Sequence, residues 1–125
     1  MILDTDILIW FLRGNEKATD AVLESMPFSV SAVTYMELLQ GMRNKQEMKK
    51  MKKAFQSMGV NIIPINESIS LRALQYVEEY TLSNSMEMAD ALIASTCVET
   101  NEKLFTANDK HYTPVKELQM QVFRP

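Results

Sequence analysis

The sequence predicts an α/β fold, a three-layer α/β/α sandwich around a mainly parallel sheet of four to five strands. Two observations carry that expectation. Short apolar runs bounded by Gly or Pro alternate along the chain with longer segments of helical periodicity. No internal repeat, low-complexity tract or linker interrupts the alternation, so the 125 residues are expected to form one domain, 1–125.

Each element has a local reason. Met1-Ile2-Leu3 is wholly apolar, as a strand covered on both faces must be. Residues 5–13 carry Ile7, Leu8, Trp10, Phe11 and Leu12 and stop at Gly14. Ala18, Ala21, Val22 and Met26 recur at helical spacing up to Pro27, and Phe28-Ser29-Val30 reads as a second strand. Ser31 or Thr34 caps a helix running to about Met42. A further helix over 46–58 ends at Gly59, and Val60-Asn61-Ile62-Ile63 forms a third strand before Pro64. Helices follow from about Glu67 to Leu82 and from about Ser85 to Thr100. Lys103-Leu104-Phe105-Thr106 is the fourth strand and Met120-Gln121-Val122-Phe123 the fifth.

Composition excludes several chemistries. One cysteine, Cys97, leaves no internal disulfide, and one histidine, His111, cannot build a site of several imidazoles. The three glycines are isolated, so no phosphate-cradling glycine loop is present, and no Ser lies in a Gly-x-Ser-x-Gly elbow. Met1-Ile2-Leu3 has neither a basic lead-in nor a cleavage site, and the apolar stretch Ala89–Ala94 holds Asp90 and is too short to span a bilayer. The expectation is a cytoplasmic protein with no membrane contact.

Carboxylates remain as chemical raw material. Asp4 directly follows the first strand, Glu37 sits within Val33–Leu39, Asp90 within Met88–Ala94, and Asp109 follows the fourth strand. An ionised carboxylate in apolar surroundings costs several kcal/mol unless it is paired or binds metal. In open parallel sheets, ligands bind beyond the carboxyl ends of the strands, where all four residues can converge. Hard oxygen donors select Mg²⁺ or Mn²⁺. Each acid also has a plain structural alternative. Asp4 can cap a helix, Glu37 can form a capping box with Thr34, Asp90 can pair with a buried Arg or Lys, and Asp109 can be an ordinary turn residue.

Four segments together resemble the PIN-domain ribonucleases of the VapC toxin type. They are Met1-Ile-Leu-Asp4-Thr5-Asp6-Ile-Leu-Ile, Ser31-Ala-Val-Thr-Tyr-Met-Glu37-Leu-Leu-Gln-Gly41, Ala89-Asp90-Ala-Leu-Ile-Ala94 and Leu104-Phe-Thr106-Ala-Asn108-Asp109-Lys-His111-Tyr112. The resemblance implies an endoribonuclease using Mg²⁺ or Mn²⁺, the toxin of a toxin–antitoxin pair, with a small antitoxin and a second copy of itself as partners. It implies Asp4 and Asp90 as metal ligands and Glu37 as the middle acid of the site. Asp109 is taken as the fourth acid, with Asn108 and His111 as neighbours able to share the role. Thr5 matches the Ser/Thr that lines the pocket. Such toxins usually carry Asn where this chain has Asp6, which either adds charge to the site or caps the first helix. In-line hydrolysis by such a site leaves 5′-phosphate and 3′-hydroxyl ends.

Net charge is −3, which at face value disfavours a nucleic-acid partner. Arg43 to Lys53, however, holds six basic residues against Glu47 alone, a local +5, while seven basic and fifteen acidic residues elsewhere give −8. On a helix, Lys49, Lys50, Lys52 and Lys53 share one side, opposite Met48, Met51, Ala54, Phe55 and Met58. They are either a solvated face or a ridge contacting RNA phosphates. Ten methionines serve mainly as core filler, with some available to an apolar docking surface. Two rival readings remain: a haloacid-dehalogenase-type phosphohydrolase using Asp4 of Leu3-Asp4-Thr5-Asp6, and a catalytically silent PIN-like binding module.

Overall fold

The computed structural model describes all 125 residues. In chain order the elements are β1 (Ile2–Leu3), α1 (Thr5–Leu12), α2 (Glu16–Ser25), β2 (Ser29–Ser31), α3 (Ala32–Gln40) and α4 (Lys45–Met58). They continue with β3 (Asn61–Ile63), α5 (Glu67–Asn84), α6 (Met88–Glu99), β4 (Leu104–Thr106), a 3₁₀ turn at Asp109–His111, and β5 (Met120–Val122). The five strands form one sheet in the order β3-β2-β1-β4-β5, and every pairing is parallel. The expected parallel sheet with helices on both faces is what the chain builds.

Strand alternation explains the three layers. Ile2 and Leu104 point to one face and join Ala73, Tyr76, Ile93 and Cys97 from α5 and α6. Their neighbours Leu3 and Phe105 point to the other, against Ile7, Leu8, Val22, Met51 and Phe55 from α1, α2 and α4. Helix α3 touches both cores, through Val33 on one side and Leu38 on the other.

Helix ends follow side-chain chemistry. Asn15, Asn44 and Asn66 each accept from a backbone N–H three residues on, which caps α2, α4 and α5. Ser31, accepting from the Val33 N–H, caps α3, so Thr34 falls inside the helix and does not start it. Helix α3 ends at Gln40, not Met42, because Gly41 takes the last amide bonds. The last long helix begins at Met88, three residues later than the pattern suggests. Ser85 turns left-handed at φ 54° and ends α5, and Met86 and Glu87 pass between the two helices. No helix is long and apolar enough to cross a membrane.

Candidate active site

The connection from β1 reaches β2 on one side through α1 and α2, whereas β4 arrives on the other side after α5 and α6. Chain direction across the sheet therefore reverses between β1 and β4. A crevice opens there at the strands' carboxyl ends, the usual ligand position in open α/β sheets.

Asp4 sits at this crevice and is only 5% exposed. Its Oδ1 accepts from the Thr5 N–H at 2.8 Å, and its Oδ2 accepts from the Thr106 hydroxyl at 2.8 Å. Thr106, fully buried at the end of β4, is itself fixed by the Asn108 N–H, 2.9 Å away. No lysine, arginine or histidine pairs with Asp4. Burial pushes its carboxyl above the usual carboxylate range, and the charge on Asp90 adds to the rise. Hydrogen bonds from Thr106, Thr5 and the buried Tyr112 oppose it.

Asp6 does two things at once. Its Oδ1 accepts from the Ile7 N–H, and its Oδ2 accepts from the Ala107 N–H at 3.0 Å, tethering the loop after β4 to α1. Burial, and secondarily the charge of Asp4, pushes its carboxyl up to about 6. Asp6 therefore adds charge beside Asp4, while the N-cap position of α1 belongs to Asp4.

Asp90 lies in the first turn of α6, where its Oδ2 accepts from the Glu87 N–H at 3.3 Å. No buried Arg or Lys neutralises it. Its nearest basic group is the His111 ring, with Nδ1 3.7 Å from Oδ1. Burial raises its carboxyl above the ordinary value, and His111 works against that rise. Tyr112 is 1% exposed, and the carboxylates of Asp4, Asp90 and Asp6 together help push its hydroxyl well above its ordinary pKa. These four side chains thus share one electrostatic neighbourhood.

Glu37 joins from α3 by a different route. The Thr5 hydroxyl donates to Glu37 Oε1 at 2.7 Å and lies 3.0 Å from the hydroxyl of buried Thr34. Thr34 thus supports Thr5, and no capping box with Glu37 forms. Asp109, in the 3₁₀ turn, is engaged by Arg124 near the chain's end, with Nη2 3.0 Å from Oδ1. No three acid, imidazole or thiol groups close into a ready-made cage.

The sequence assigns Thr106, Thr34 and Arg124 no part in the site. Thr106 had a signal, being the one hydroxyl in an otherwise apolar strand run, Leu104-Phe105-Thr106. Thr34 and Arg124 had none, since their partners lie 29 and 15 residues or more away.

Of the four lysines predicted to share one side of α4, Lys50 lines a groove of about 830 Å³ between α1, α3 and α4, whereas Lys49, Lys52 and Lys53 are exposed outside its lining. Glu37 lines the same groove, whereas Asp4, Asp6, Asp90 and Asp109 do not.

Solved structures resemble the fold of this chain. A toxin–antitoxin complex from Klebsiella pneumoniae superposes with a TM-score of 0.78 at 27% identity, covering 94% of this chain and 93% of that one. VapBC2 from Rickettsia felis, solved bound to a DNA fragment from its promoter, gives a TM-score of 0.82 at 18% identity and 98% coverage of both chains. VapBC-1 from nontypeable Haemophilus influenzae gives 0.79 at 24% identity, covering 97% and 96%. No curated protein matches the sequence significantly. The family model of the PIN domain matches residues 1–117, the span that holds the strand-end acids, the helix α6 aspartate and the β4 loop, and the chain belongs to the PIN domain family.

Proposed function

We propose that residues 1–125 form a single metal-dependent nuclease unit that hydrolyses RNA phosphodiester bonds, as the toxin of a toxin–antitoxin pair. The observation that carries this reading is Asp4. It is buried at the β1–β4 crevice, unpaired with any cation, and next to a second half-buried aspartate, Asp90. A buried carboxylate without a cationic partner, set beside a second, half-buried one, is costly to a fold and is relieved by a divalent cation. The donor set is hard oxygen, which fits Mg²⁺ or Mn²⁺. Mg²⁺ commonly takes one or two protein carboxylates and keeps several waters, which suits an open site without a closed cage.

Asp4 and Asp90 would hold the cation, with Glu37 and Asp109 completing its surroundings. When bound, it supplies Lewis acidity for an in-line phosphodiester hydrolysis and offsets negative charge on the phosphate oxygens. The protein's own groups do the rest. Thr5 and Thr106 fix both oxygens of Asp4, so the ligand geometry is set before any ion arrives. Glu37, held at Oε1 by Thr5, keeps Oε2 for the attacking water, orienting it and accepting its proton. Thr5, Asp6 and Asn108 line the pocket. The expected products carry 5′-phosphate and 3′-hydroxyl ends.

The solved structures of similar fold are toxin–antitoxin complexes, which supports a small antitoxin as partner. Exposed Leu71, Leu74 and Leu82 share one side of α5 and support a homodimer, to be measured by light scattering. A cytoplasmic location accords with both partners.

The decisive experiment is cleavage of RNA with and without Mg²⁺ or Mn²⁺, using Asp4→Asn and Asp90→Asn as controls. Metal-dependent cleavage lost in both variants supports the reading, and undiminished cleavage by both overturns it. A phosphoryl-Asp4 species trapped during turnover would favour the phosphohydrolase alternative.

A further inference from the structure

We infer that the outer face of α4 anchors RNA, with Lys45, Lys49, Lys52 and Lys53 taking the phosphates of a strand outside the catalytic crevice. The inference rests on the nuclease reading for its substrate and adds to it a surface that holds the RNA while the crevice cuts.

Helix α4 sorts its side chains onto three faces. Met51 and Phe55 are buried in the core. Glu47, Lys50, Met51 and Ala54 line the groove shared with α1 and α3. Lys45, Lys49, Lys52, Lys53 and Gln56 are exposed and have no part in that lining. At ~100° per residue these five form one stripe, on the side of the helix opposite Glu47, Lys50 and Ala54. Lys50, which the sequence pattern groups with the other lysines, thus belongs to a different face, and Lys45 takes its place.

The stripe is uncompensated. Glu47 is the only acid in α4, and Arg43 engages it at 2.7 Å. None of the stripe's lysines pairs with an acid from any element. Lys45, Lys49 and Lys53 follow one another at i, i+4 spacing, and Lys49 and Lys52 stand at i, i+3. Like charges at these spacings repel and cost the helix stability. Lys45 opens the helix, where the positive end of the helix dipole adds to the repulsion. A bound polyanion relieves all of these contacts at once.

Charge spacing and composition select the occupant. The four lysines span ~12 Å of helix axis, or about 4 Å per charge, close to the ~3.4 Å per charge along one strand of a nucleic-acid helix. No apolar side chain interrupts the stripe, so it offers an anionic bilayer nothing to insert. Outside Arg43–Lys53 the chain carries −8, which repels a polyanion and leaves α4 as the place of first attraction. Lysine meets a phosphate as a point charge, so this face holds the RNA backbone and does not read its sequence.

Fluorescence anisotropy in EDTA tests binding without requiring cleavage. The probe is an end-labelled RNA octamer of mixed sequence. Lys49→Gln/Lys52→Gln/Lys53→Gln, which keeps good helix formers at all three positions, should weaken binding about tenfold. The slope of log affinity against log salt should shrink by about 2 units, since three phosphate contacts are lost. Lys17→Gln/Lys103→Gln/Lys116→Gln removes the same charge from exposed positions elsewhere and should have a much smaller effect on both. In Mg²⁺, the α4 variant should raise KM for the same RNA and leave kcat unchanged. Vesicles of phosphatidylcholine and phosphatidylserine serve as a second anionic probe.

Equal losses in the two triple variants, or unchanged affinity and salt slope in the α4 variant, overturn the inference. A fall in kcat at unchanged KM does so too. Vesicle binding that the α4 variant loses while it keeps RNA binding assigns the face to a membrane instead. Cleavage by the unaltered chain alongside α4-independent binding rejects this surface and leaves the nuclease reading standing. RNA binding that depends on α4 without cleavage in Mg²⁺ or Mn²⁺ rejects the nuclease reading and leaves the RNA-anchoring surface.

Discussion

The Thr106 hydroxyl donates to Asp4 Oδ2 at 2.8 Å, joining residues 102 positions apart at the ends of adjacent parallel strands. Both are buried, so the bond forms in surroundings where an unmade hydrogen bond is expensive. It fixes the carboxylate that the family resemblance and the electrostatics both single out.

Thr106→Val keeps the side chain's shape and removes the donor. The buried Oδ2 then loses its partner, and the protein should lose about 1–3 kcal/mol of stability, measured by chemical denaturation. Nuclease activity should fall further than stability explains, with a higher Mg²⁺ concentration at half-maximal rate. Thr106→Ser, which retains the hydroxyl, should restore most of that affinity.

Acid should stabilise the metal-free protein over a defined window. Burial and the neighbouring Asp4 charge raise the Asp6 carboxyl to about 6, against 3.8 in the unfolded chain. Between those values the folded state holds a proton that the unfolded state has released, so stability falls as pH rises through the window. In EDTA, the melting temperature should therefore rise on going from pH 7 to pH 5. The Asp6 contribution is about 2 kcal/mol after allowance for its partial exposure. Asp4 and Asp90, shifted in the same direction, add to it. Asp6→Asn should flatten the profile, and Mg²⁺ should stabilise most at neutral pH, where the acids are ionised.

Arg124 holds Asp109 at 3.0 Å and is itself mostly exposed. Arg124→Gln should leave the fold intact and free the Asp109 carboxylate for a cation. The expected outcome is a lower Mg²⁺ requirement for RNA cleavage in a metal titration. An unchanged titration would remove Asp109 from the site.

Cys97 is fully buried in the α5–α6 core, and burial pushes its thiol far above the ordinary range. Only the thiolate reacts readily. A thiol reagent such as dithionitrobenzoate should leave the native chain unlabelled and modify one thiol per chain in denaturant. Fast labelling of the folded protein would contradict this packing.

Much of the molecule was legible because its signals are local. The wholly apolar runs at Ile2–Leu3 and Leu104–Phe105 mark strands covered on both faces, and they occupy the central positions of the sheet. Gly59 stops α4 in the left-handed conformation, φ 64°, as a glycine after a helical pattern suggests. Helix α6 starts at Met88, later than the pattern suggests. Ser-Asn-Ser-Met-Glu resembles a helix entry, yet Ser85 instead takes the left-handed turn that ends the preceding helix. Thr34 followed by Glu37 has the spacing of a capping box, but Ser31 begins the helix three residues earlier and Glu37 turns to Thr5.

By itself, the sequence singled out four acids, of which the fold buries Asp4, half-buries Asp90 and Asp109 and leaves Glu37 exposed, and a basic segment hidden inside a net charge of −3. Periodicity and burial cost are properties of neighbouring residues, so they can be read along one dimension. Only the tertiary structure decided which acids share a field and which cations are already spent. It drew Asp4, Asp6 and Asp90 around Tyr112, tied Asp109 to Arg124 and Arg43 to Glu47, and brought Glu37 to Thr5. Those pairings depend on strand order and on the reversal between β1 and β4, which bring together groups that sequence spacing cannot relate.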